Sequence, residues 1–135
     1  DVMNFNKILK GQNKIFKIET KKSLINISKI FKHGANFLID RGDLSKDIKI
    51  ETIPATQRTI LKKAKAHNKN VFIATNFLES MIENNYPTRA EINDIFNAFE
   101  TGAAGIVLAA ETAIGKYPTQ CINLVHRIFS QFRKY

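Results

Sequence analysis

The sequence predicts an α/β fold built as a parallel βα repeat, and three observations carry that reading. Short β-prone runs alternate with helix-length amphipathic stretches. The strand centres, as in Val71-Phe72-Ile73-Ala74 and Ile106-Val107-Leu108-Ala109, are apolar at successive positions, the pattern of strands covered on both faces. Charged and hydroxyl residues gather just past the strand C-termini, where α/β sheets bind ligands. In chain order, a helix is expected over Asp1 to Lys10, then a strand over Lys14 to Glu19 and a helix over Ser23 to His33. Strand Asn36 to Asp40 and helix Thr52 to Asn68 follow, then strand Asn70 to Thr75 and helix Thr88 to Thr101. Strand Gly105 to Ala109 and helix Pro118 to Arg133 complete the pattern. Thr88 with Glu91 three residues on is a capping box, and Thr101-Gly102 supplies a glycine stop. Pro118 suits a first helical turn, where its missing N–H costs nothing.

No proline-rich or glycine-rich linker divides the 135 residues, so residues 1–135 read as a single segment. At 44% hydrophobic the chain is too apolar for a disordered tail. Its longest apolar run, Ala103 to Ala110, is far shorter than the roughly 20 residues a membrane span requires, which argues against a membrane partner. The first residue is Asp1, with no basic-then-apolar leader, so a processed chain or a piece of a longer one is expected. Cys121 is alone, which excludes an internal disulfide framework and a cysteine-built zinc site and fits a reducing compartment. His33, His67 and His126 have no metal-ligand spacing. A net charge of +9 raises nucleic acid as a partner, but its densest patch, Lys62, Lys63, Lys65 and Lys69, interleaves with Ile60, Leu61 and Ala64 at helical spacing. That is the solvated face of an amphipathic helix, and no nucleic-acid partner is expected.

Lys17 and Glu19 are two apart on one strand, so their side chains leave the same face, and the next strand ends near Asp43. Two carboxylates from neighbouring strands suit a hard divalent cation, Mg²⁺ or Mn²⁺. The alternative at this point is an ion pair at the sheet end with Asp43 merely starting a turn.

The residues go further than spacing. Lys17-Ile18-Glu19, Asp40-Arg41-Gly42-Asp43-Leu44, Ala74-Thr75-Asn76-Phe77-Leu78-Glu79-Ser80-Met81-Ile82, Pro87-Thr88-Arg89-Ala90-Glu91 and Glu111-Thr112-Ala113-Ile114-Gly115-Lys116-Tyr117-Pro118 resemble pyruvate kinase in order and gaps, over nearly the whole chain. The resemblance implies the C-terminal half of a TIM (β/α)₈ barrel, from the helix after the fourth strand to the eighth helix. It implies transfer of a phosphoryl group between phosphoenolpyruvate and ADP, giving pyruvate and ATP. Lys17 would stabilise the enolate of pyruvate, Glu19 and Asp43 would hold Mg²⁺ or Mn²⁺, and Thr75 would help deliver a proton. Backbone amides near Gly42 and Asp43 would hold the substrate carboxylate. Asp40, Arg41 and Glu111 are expected as site neighbours, Arg41 in a structural role, with capping of the following loop the equal alternative for Glu111.

By the same resemblance, the ligands of K⁺, the arginine clamp on the phosphoryl group and most nucleotide contacts lie outside this chain. The chain alone is expected to be inactive, with the remaining half of the barrel as partner and a homo-oligomer as the full protein. A full barrel needs about 250 residues, so a half leaves open sheet edges. Cytoplasm is the expected compartment, an organelle such as a plastid the alternative. The sequence departs from the family at Asp40, where alanine is usual, at Ser45, at Asn76-Phe77, at Ala109-Ala110 and at Ile114. An added carboxylate at Asp40 repels the anionic substrate, binds the metal or points into the helical layer. Two alternatives follow: a related phosphoenolpyruvate or pyruvate lyase, and a non-catalytic half-barrel serving assembly or regulation.

Overall fold

The computed structural model describes residues 2–135, so Asp1, the first residue of the expected opening helix, lies outside the described residues. Strands β1 (Ile15–Ile18), β2 (Asn36–Asp40), β3 (Asn70–Ala74) and β4 (Gly105–Val107) form one sheet in sequential order, every neighbouring pair parallel. Helices α1 (Val2–Ile8), α2 (Lys21–Ile25), α3 (Ile27–Ile30), α4 (Arg41–Leu44), α5 (Ile53–Ala66), α6 (Arg89–Glu100), α7 (Ala110–Ala113) and α8 (Pro118–Phe132) intervene. The architecture is α/β, about half of a barrel.

The register explains which side chains face which layer. Phe16, Phe37 and Val71 are aligned, as are Ile18, Ile39, Ile73 and Ile106, and these rows face the helices. They join Phe31, Leu61, Ile95 and Cys121 in one apolar core. The alternate rows occupy the opposite face: Lys17, Leu38, Phe72 and Gly105, and one step further Asp40, Ala74 and Val107. Gly105 leaves room there for the Phe72 ring, which a Cβ would approach to 3.0 Å. That face is less buried than expected from the apolar strand centres: Val107 is exposed and Phe72 half-buried, because this chain supplies no layer to cover them.

Two expected elements differ, and two short helices are added. The helix over Ser23 to His33 begins earlier, at Lys21, where Thr20 and Ser23 form a capping box, and it breaks at Asn26. The Asn26 side chain bonds back to the Lys22 carbonyl and competes with the helical ladder. The fourth strand stops at Val107 rather than Ala109, because the Ala109 amide turns away to the Glu111 carboxylate. The short helices α4 and α7, at the ends of β2 and β4, are four residues each, too short to show a helical period in the sequence. The Thr88–Glu91 capping box, the glycine stop at Gly102 (φ 99°) and Pro118 in the first turn of α8 are all present. Lys62, Lys63 and Lys65 lie exposed on α5 opposite Ile60, Leu61 and Ala64. Among the described residues no helix is long and apolar enough to cross a membrane.

Candidate active site at the strand C-termini

Alternation along β1 sends Lys17 to the open face of the sheet, and Glu19 leaves the strand end on the same side. Asp40 ends β2 two residues beyond Leu38 and so shares that face, which removes the option that it points into the helical layer. The chain then coils into α4, capped by the Asp40 side chain accepting from the Asp43 amide at 3.2 Å, and this one turn returns Asp43 to the cluster.

The Lys17 ammonium sits among three carboxylates: Glu19 Oε2 at 2.7 Å, Asp40 Oδ2 at 3.0 Å and Asp43 Oδ2 at 3.3 Å. Glu19 foremost, then Asp40 and Asp43, holds its pKa well above the ordinary lysine value, against an opposing effect of burial. Lys46, bonded to Asp43 Oδ1 at 2.7 Å, and then Lys17 pull the Asp43 carboxyl below its usual range. Oxygens of Glu19, Asp40 and Asp43 all lie within 4.8 Å of one another. Glu19 Oε2 is occluded from solvent and has no hydrogen bond of good geometry, Lys17 being its close ionic contact. An all-carboxylate donor set whose oxygens lie this close together fits a hard divalent ion.

Thr75 lies just past β3. Its Oγ1 donates to the Ala74 carbonyl at 2.6 Å and accepts from the Gly42 amide at 2.9 Å. The amides of Gly42 and Asp43, expected to be ready for a substrate carboxylate, are thus already paired, with Thr75 Oγ1 and Asp40 Oδ1. Arg41 turns away from the acidic cluster toward Thr75, Asn76 and Asp94. Glu111 does not join the cluster. It is 1% exposed and accepts from the amides of Phe77 (3.3 Å), Leu78 (3.1 Å) and Ala109 (2.7 Å), tying the loop after β3 to the end of β4. Burial pushes its carboxyl up, but the amides of Ala109, Glu111, Leu78 and Phe77 more than reverse this and leave it below the usual range. Loop capping by this strand-end acid is one of the two readings open to the sequence; that it reaches Phe77 and Leu78, 34 and 33 residues away, has no local signal.

A parallel half-barrel with a lysine and three carboxylates at the strand C-terminal edge defines a class, the (β/α) barrels whose functional sites lie at that edge. Comparison with known proteins narrows it. The family model for the barrel domain of pyruvate kinase matches residues 1–122, and the chain belongs to the pyruvate kinase family. It is 45% identical over 120 residues to the pyruvate kinase of Thermotoga maritima, covering 89% of this chain and 26% of that protein. It is 40% identical over 114 residues to plastidial pyruvate kinase 3, chloroplastic, of Arabidopsis thaliana, covering 84% of this chain and 20% of that protein. The crystal structure of a pyruvate kinase from Cryptosporidium parvum superposes with a TM-score of 0.93 at 32% identity, over 98% of this chain and 29% of that one. The chain therefore spans a fifth to about a quarter of the length of these curated relatives.

Proposed function

We propose that this chain supplies the metal and pyruvate side of a site that moves a phosphoryl group between phosphoenolpyruvate and ADP. The observation that supports it is the Lys17, Glu19, Asp40 and Asp43 cluster at the strand ends, in a chain whose family match spans residues 1–122. When the bridging C–O–P linkage breaks at phosphorus and the ADP oxygen takes the phosphoryl group, an electron pair stays on the enolate oxygen. The Lys17 ammonium, kept charged by its acidic neighbours, stabilises that oxygen. Protonation at the enolate carbon completes pyruvate, and the Thr75 hydroxyl helps deliver that proton. Glu19 and Asp43 would hold Mg²⁺ or Mn²⁺, which supplies Lewis-acid neutralisation of the developing charge. The substrate carboxylate takes the Gly42 and Asp43 amides by displacing Thr75 Oγ1 and Asp40 Oδ1. The nucleotide, any K⁺ and the remaining barrel strands belong to the rest of a longer, oligomeric polypeptide.

The test is water-proton relaxation of Mn²⁺ with oxalate, a mimic of the enolate, on the complete polypeptide containing this sequence. A ternary complex is expected, lost in Glu19→Gln. Turnover with phosphoenolpyruvate and ADP is expected to fall about a hundredfold or more in Glu19→Gln and Asp43→Asn. Normal turnover in either variant overturns the assignment. Phosphoenolpyruvate consumption without ADP would identify a lyase instead, and indifference to Lys17→Met a non-catalytic module.

A further inference from the structure

Two consecutive non-glycine residues after β3 adopt left-handed backbone conformations, Thr75 at φ 71° and Asn76 at φ 58°. For β-branched threonine this region is a genuine outlier, and it persists only where the surroundings over-determine it. The over-determining group is Arg41. Its side chain is 10% exposed. Nε and Nη2 both donate to the Thr75 carbonyl, at 3.0 and 2.6 Å, and Nη2 also donates to the Asn76 carbonyl at 3.0 Å. The guanidinium lies 4.0 Å over the Phe77 ring, and Nη1 pairs with Asp94 on α6 at 2.7 Å.

The planar fork matters here. Successive carbonyls of an extended chain point to opposite sides, whereas this turn leaves the Thr75 and Asn76 carbonyls both within reach of one guanidinium. The same turn presents Thr75 Oγ1 to the Gly42 amide, one residue along from Arg41. Thr75 is thus gripped by its carbonyl and its hydroxyl from one tripeptide, Arg41-Gly42-Asp43, which also carries an acid of the cluster.

We propose that Arg41, anchored by Asp94, is a positioning residue that selects the left-handed conformation of Thr75 and aims its hydroxyl into the site. This rests on the role proposed above for Thr75. Lysine keeps the charge beside Asp94 but cannot span both carbonyls. In the complete polypeptide, Arg41→Lys is expected to lower kcat about ten- to a hundredfold with KM for phosphoenolpyruvate nearly unchanged. In a Thr75→Ala background the same substitution should cost less than about twofold, because the group it aims is gone. A merely structural role would leave the two losses multiplicative, and that result overturns the inference.

A readout independent of turnover is the Thr75 conformation in a crystal structure of Arg41→Lys. Relaxation of Thr75 to negative φ supports the proposal, and retention of positive φ overturns it. Full activity of Thr75→Ala would instead refute the role of Thr75, while the conformational readout still decides what Arg41 does. If Arg41→Lys does not fold, Asp94→Asn loosens the same guanidinium, with a smaller kcat loss and the same dependence on Thr75 expected. An unchanged kcat in Asp94→Asn then counts against the proposal.

Discussion

Glu111 offers the sharpest test of how the loops at the strand ends are held. Its Oε1 accepts from Phe77 and Leu78 and its Oε2 from Ala109, in a setting that leaves the residue 1% exposed. Glutamine in its place has one acceptor and two donors. With its oxygen toward Phe77 and Leu78, the amide NH₂ confronts the Ala109 N–H; flipped, it abandons the other two. Either way at least one buried N–H loses its partner, at about 1–3 kcal/mol, and the charge assistance of the remaining bonds is lost, so Glu111→Gln should cost about 3 kcal/mol locally. Native-state hydrogen exchange reads this directly: the Phe77, Leu78 and Ala109 amides should lose roughly a hundredfold protection. The pH dependence has a definite sign. The folded carboxyl titrates below its unfolded value, so the stabilisation is fully present above about pH 4.5 and is lost as pH falls through the folded pKa. After correction for intrinsic exchange rates, wild type and variant should differ by a constant amount from pH 6 to 8 and converge in acid. Unchanged protection at neutral pH, or a difference that grows on acidification, would refute the argument.

Other expectations concern the cluster and its supports. Asp40→Asn removes a negative charge beside Lys17 while an amide oxygen can still cap the Asp43 amide; calorimetry should show Mn²⁺ alone binding more weakly and oxalate with Mn²⁺ more tightly, each by about fivefold at this partly solvated site. Thr88→Ala removes the cap of α6 and should lower stability by about 1 kcal/mol in urea titration. Glu91→Ala should cost more, because that carboxylate also accepts from the Ser80 amide at 2.8 Å and joins the turn over Glu79–Ile82 to α6. Gly115→Ala places a methyl against the Glu111 carbonyl oxygen, a backbone atom that cannot swing aside; a loss of about 1–3 kcal/mol is expected, with the Phe77 and Leu78 amides losing protection in parallel.

Spacing made Lys17, Glu19 and Asp43 legible as candidates, because two residues on a strand and a strand end in the next repeat place side chains by simple geometry, while Thr75 was legible only through the family resemblance. Asp40 was legible only as an extra charge. Its face follows from its two-residue spacing from Leu38, but which face of β2 lies open is set by pairing with its neighbours, Asp40 opposite Ala74 34 residues away. The amides at Gly42 and Asp43, expected to hold a substrate carboxylate, are paired here with Thr75 and Asp40, and of the two readings open for Glu111 the structure shows the loop brace.

What the amino-acid order determined by itself is what a dozen neighbouring residues can decide: the alternation of strand and helix, the caps at Thr88 and Gly102, and the amphipathic face of α5. Those signals are local because hydrogen bonds within a helix or at its ends span three or four residues. Tertiary structure alone decided the rest. The Arg41 guanidinium meets carbonyls 34 and 35 residues away and a carboxylate 53 residues away, and Glu111 meets amides 33 and 34 residues away. A left-handed threonine has no signature in sequence, because its strain is offset by partners that converge only when the sheet has formed.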